Sequence, residues 1–132
     1  MDADAVRELC LSFPGAYEDY PFGPETAVYK VRPLASAGSG VEGKVFALIR
    51  PDARPLSVSL KCDPALAVQL RAAHPEITGA WHLNKKHWNG VRLDGDLAWE
   101  AIRDMVEDSY DLVVASLPKG QREALGWSGL AR

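Results

Sequence analysis

Residues 56–62 read Leu-Ser-Val-Ser-Leu-Lys-Cys, a clean alternation of apolar and polar side chains. Successive side chains of a strand point to opposite faces of a sheet. Leu56, Val58, Leu60 and Cys62 therefore face a core, while Ser57, Ser59 and Lys61 face away from it. That pattern describes a sheet with one solvated side, whose polar face is available for binding. Asp63-Pro64 follows at once, an N-cap with proline at the first helical position. The chain thus passes from strand to helix at residue 63, and Leu66, Ala67, Leu70 and Ala73 carry an apolar stripe as far as His74-Pro75.

The remaining segments fit the same plan. Val6, Leu9, Cys10 and Phe13 predict a helix over 4–13, started by Asp4 and stopped by Pro14-Gly15. Two extended segments between Tyr17 and Arg32 flank the turn Pro21-Phe22-Gly23-Pro24, with Ala27, Tyr29 and Val31 alternating against Val28 and Lys30. A small, glycine-rich loop over 33–43 enters an apolar strand over 44–49. Residues 77–83 and 88–93 flank Asn84-Lys85-Lys86-His87, a four-residue connection suited to a hairpin. A last helix over 96–117 has Ala98, Ile102, Met105, Val106, Val113 and Leu117 inward, with Glu100, Asp104, Glu107 and Asp111 mainly outward. The expected fold class is α+β, an antiparallel sheet of five or six strands packed against about three helices. One domain covers 1–132, with 118–132 as a docked or frayed tail.

Composition excludes several function classes. At 47% hydrophobic and 25% charged residues the chain lies near the globular average. It has no apolar run of about 20 residues and no basic-then-apolar leader, so the expectation is a cytoplasmic monomer that avoids the membrane. Cys10 and Cys62 lack metal or redox spacing and read as reduced thiols. Gly38-Ser39-Gly40-Val41-Glu42-Gly43 matches GxGxxG, but a strand follows where a phosphate-binding loop must open a helix. His82 and His87, even with Glu76 or Asp94, lack a third ligand at recognisable spacing. The serines lack a nucleophile frame, and Glu18-Asp19 reads as surface rather than as a catalytic pair. No catalytic residue, metal or cofactor is expected.

Charge is unevenly distributed. Net charge is −3, yet residues 43–92 carry eight basic and three acidic groups, while the segments on either side are acidic. Within the basic third, residues 81–92 interleave His82, Lys85, Lys86, His87 and Arg92 with Trp81, Trp88, Asn84 and Asn89. Such a hairpin either acts as a wing on nucleic acid or cements the sheet with its tryptophans while the lysines solubilise a turn.

The motifs Phe13-Pro14-Gly15, Pro21-Phe22-Gly23, Val28-Tyr29-Lys30-Val31, Leu60-Lys61-Cys62-Asp63-Pro64, His82-Leu83-Asn84-Lys85-Lys86-His87-Trp88 and Ser109-Tyr110 occur in this order. Through them the chain resembles the MmcQ/YjbR-like family of small bacterial proteins over roughly residues 5–120. The resemblance implies a fold related to secretion chaperones and a double-wing mode of binding double-stranded DNA. The 33–42 loop departs from the family pattern in its length, so it could extend or obstruct a wing. The expected nucleic-acid contacts are Lys44, Lys61, His82, Asn84, Lys85, Lys86, His87, Trp88 and Arg92. The rival expectation is a protein- or peptide-binding adaptor using the aromatic stretch from Tyr17 to Phe22, with small-molecule binding or an unrecognised enzyme behind it. Contiguity of Lys61, Lys85, Lys86 and Arg92 on one face separates the two leading readings.

Overall fold

The computed structural model describes residues 1–36, 38–80 and 83–127. Six strands form one antiparallel sheet: β1 Ala16–Asp19, β2 Ala27–Val31, β3 Lys44–Ile49, β4 Ser57–Lys61, β5 Ile77–Gly79 and β6 Trp88–Arg92. Their spatial order is β1-β2-β3-β4-β6-β5. The helices are α1 Ala3–Leu11, α2 Pro64–Ala73, α3 Trp99–Ala115 and α4 Lys119–Leu125.

The register sorts the side chains into two faces. Tyr29, Ala47, Leu60 and Asn89 lie in one cross-strand row and Ile49, Val58, Val91 and Ile77 in the next. These rows are buried against Val6 and Cys10 of α1 and Ile102, Val106, Tyr110 and Val113 of α3. The intervening row, Val28, Leu48, Ser59, Gly90 and Thr78, points to the other side. The alternation read at residues 56–62 is therefore the architecture itself, with helices on one face.

Side chains of α3 lock the two layers together. The Ser109 hydroxyl donates to Phe46 O at 2.6 Å and accepts from Lys61 N–H at 2.8 Å. It fills the gap where the β3–β4 ladder ends at the Ala47–Leu60 pair. Tyr110 stacks on Phe13 with ring centroids 4.7 Å apart and donates its hydroxyl to Pro14 O. Phe46 and Trp127 meet the edges of the same pair, making a four-ring cluster whose offset and T-shaped contacts suit aromatic quadrupoles. Gly15, with φ +72°, turns the chain beneath this cluster, where any Cβ would run into the Arg32 carbonyl.

Several expectations are corrected. Asp2 rather than Asp4 caps α1, accepting from Ala5 N–H at 2.8 Å. All five residues of β2 are buried, because Lys30 lies beneath Asp19 and Glu42 instead of reaching solvent. β5 has three residues, not seven. Helix α3 begins at Trp99, since Asp96 N–H is held by Glu76 Oε2 in the preceding loop. Asp111 is buried and accepts from Trp127 Nε1 at 3.0 Å, so the tail is docked as far as Trp127 and supplies a fourth helix. Ser109→Ala leaves Phe46 C=O and Lys61 N–H without their buried partner and is expected to cost about 1–3 kcal/mol in urea unfolding, with an unchanged far-UV spectrum.

Candidate nucleic-acid interface

The expected contact residues do not form one patch. Lys61 and Trp88 are cross-strand partners, and alternation places them on the helix-free face with Ser59 and Gly90. Arg92 shares that face beside Ser57, four residues along the strand, and is paired with Asp94 at 3.0 Å. Lys44 reaches instead to Ser116 at the end of α3. Lys85 lies on the opposite side: its stem packs where a Gly79 Cβ would stand, and its carbonyl accepts from Arg71 of α2 at 3.0 Å. His82, like Trp81, lies outside the described residues.

The connection over 84–87 is a tethered turn rather than a projecting wing. Asn84 Oδ1 accepts from Lys86 N–H, and Asn84 O accepts from the N–H groups of His87 and Trp88. Asn84 is thus committed to shaping the turn. Asn89, also considered for groove contacts, is buried with its Oδ1 on Arg71 Nη1 at 2.7 Å. Lys86 remains exposed at the tip, with His87 half-buried behind it.

The larger feature of the helix-free face is a concavity of about 670 Å³. Ser57, Ser59, Thr78 and Gly90 lie on its sheet side, and Phe22 and Leu83 line it from the connections. Arg50 is the one charged residue in its described lining. Phe22 is 70% exposed. Of these residues the alternation at 56–62 announces only the serines. Arg50 and Phe22 come to the site through strand order, which no local pattern encodes.

The comparisons with known proteins bear on this arrangement. The YjbR family model matches residues 11–112. The chain belongs to the YjbR family. The Escherichia coli K12 protein YjbR is 40% identical over 125 residues, covering 95% of this chain and 98% of that protein. YbdF of Escherichia coli O157:H7 is 31% identical over 116 residues, or 88% and 87% of the two chains. The crystal structure of Deinococcus radiodurans protein DR2400 superposes with a TM-score of 0.84 at 38% identity, covering 95% of this chain and 88% of its own. A Pseudomonas syringae crystal structure does so with a TM-score of 0.70 at 27% identity, covering 86% and 99%.

The YjbR motifs divide by role. Phe13, Pro14, Gly15, Ser109 and Tyr110 build the core junction described above, and Asp63 caps α2 through Leu66 N–H. Lys61 and Trp88 are placed by strand alternation on the helix-free side, where Phe22 lines the concavity. Among the described residues, no group of three or more His, Cys, Asp or Glu side chains is placed to hold a metal ion. Burial pushes the Cys10 thiol up to about 12, which keeps it protonated and unreactive at neutral pH.

Glu18 and Asp19 are not a carboxylate pair, because adjacent strand residues point to opposite faces. Glu18 accepts from Arg7 Nε and Tyr29 Oη, each at 2.9 Å. Burial alone would raise its pKa, but hydrogen bonds from Tyr29, Arg7 and Tyr20 together outweigh burial and lower it. Asp19 is lowered first by its hydrogen bond from Lys30 and then by Tyr20 N–H. A lowered folded-state pKa contributes stability above the unfolded carboxylate range and loses it as pH falls through the folded value. Chemical denaturation should therefore show a plateau from neutral pH to about 5 and a decline below about 4, with a shallower decline in Glu18→Gln.

Proposed function

We propose that this YjbR-family protein binds nucleic acid through the helix-free face of its sheet, without a catalytic step. The observation that carries the reading is the separation of charge between the layers. Helix α3 carries Glu100, Asp104 and Glu107, with Arg103 as its one base. On the sheet face the one strand carboxylate, Asp19, is ion-paired to Lys30, and the concavity has Arg50 in its described lining and no carboxylate. A polyanion is repelled by one side of such a molecule and drawn to the other.

Lys61, Arg50 and the exposed Lys86 meet phosphates in this reading, Trp88 offers a ring beside Lys61, and Arg92 joins by exchanging Asp94 for phosphate. Lys44 and Lys85 lie away from the path. The turn over 84–87 contributes Lys86 at its rim rather than a wing entering a groove. The adaptor reading is favoured by two observations, the separation of Lys85 from Lys61 and Arg92 and the exposure of Phe22 together with Tyr20 at 47%.

Fluorescence anisotropy of labelled oligonucleotides tests the proposal. Two or three phosphate contacts are expected to weaken binding roughly 7–40-fold between about 50 and about 200 mM salt. Arg50→Ala/Lys61→Ala should flatten the logarithmic salt dependence by about 1.5. Absence of binding at about 100 μM protein and low salt would overturn the proposal and leave the Phe22 corner as a protein-docking site.

A further inference from the structure

Gly90 lies in the middle of β6, between Ser59 of β4 and Thr78 of β5 in the cross-strand row. Its backbone is not in the left-handed region. A Cβ there would meet nothing closer than Thr78 Oγ1 at 3.7 Å, an ordinary contact. Neither conformation nor crowding therefore calls for glycine, and glycine weakens a strand interior. A bare strip on a sheet face is what a closely approaching ligand needs.

The surroundings narrow the ligand's chemistry. Hydroxyls on either side of Gly90, from Ser59 and Thr78, can donate to or accept from the edge of a heterocycle. Phe22 lines the concavity as an exposed ring on which a flat base can stack, and Arg50 supplies a cation for an anionic group. About 670 Å³ is the size of a small-ligand pocket. Duplex DNA hides its bases in the stack and is read by a helix or ribbon entering a groove. The hairpin over 84–87 is tied down through Asn84 and Arg71.

We infer that the concavity at Gly90 seats one unpaired nucleotide, with its base against the Ser59–Gly90–Thr78 strip and its phosphate at Arg50. This deepens the nucleic-acid reading and rests on it. The same chemistry is offered by a single strand and by a free nucleoside monophosphate.

The test titrates the full chain with a labelled mixed-sequence single strand, the matching duplex and AMP, following anisotropy and the amide signals of Ser59 and Gly90. The single strand is expected to bind about tenfold or more tightly than the duplex, with those amides shifting. Gly90→Leu fills the strip and should weaken single-strand binding about tenfold. Thermal unfolding verifies that the variant folds, and Gly90→Ala, whose Cβ has room, gives a smaller loss in the same direction. AMP shifting the same amides supports the seat, and a strand no tighter than AMP identifies the free nucleotide as its source. Equal strand and duplex affinities, unaffected by Gly90→Leu, would overturn the seat while nucleic-acid binding stands. No binding of any probe overturns both.

Discussion

The hydroxyl of Ser109 sits between two strands that have parted. By donating to Phe46 O and accepting from Lys61 N–H it completes the backbone hydrogen bonding of the sheet centre from within a helix. Helix α3 is thereby fixed across β3 and β4, and Tyr110, one residue on, carries the aromatic cluster that holds Phe13 and the start of β1. Packing every apolar row on this side leaves the opposite face without helices. The candidate site is thus a consequence of how the core closes.

That one-sidedness also sorts the charges. The corner of the helix-free face near β1 is internally neutralised, with Lys30 held by Asp19 at 2.8 Å and by Glu42 at 3.1 Å. The glycine-rich connection is drawn over this corner: Arg32 donates to Val41 O and lies 4.1 Å from the Tyr17 ring centroid, and Tyr17 Oη accepts from Gly43 N–H. The long loop therefore covers the β1–β2 end and does not extend the β5–β6 hairpin. Towards β4 and β6, among the described residues, no such covering occurs and Arg50 and Lys61 make no ion pair.

Features governed by neighbouring residues were legible in the sequence. The alternation at Ser57 and Ser59, the Asp63-Pro64 helix start, and the turn over 84–87 all form as local chemistry dictates. What was not legible depends on distant partners. Arg71 binds both Asn89, 18 residues away, and the Lys85 carbonyl, which turns a hairpin that looks like a basic wing into a turn strapped to α2. Tyr110 reaches Pro14 across 96 positions. Whether Lys61, Lys85, Lys86 and Arg92 share one face was not legible for the same reason, since strand order and this strap place Lys85 on the other side from Lys61 and Arg92. Gly90 carried a signal in plain view, a glycine inside a strand, whose meaning emerged only with its neighbours in place.

The most direct measurement of the central claim is a map of backbone amide perturbation on adding a mixed-sequence oligonucleotide at low salt. Shifts confined to Arg50, Ser57, Ser59, Lys61 and the strand around Gly90, with α1 and α3 silent, are the predicted result. Shifts centred on the helix layer, or none at saturating oligonucleotide, would contradict it.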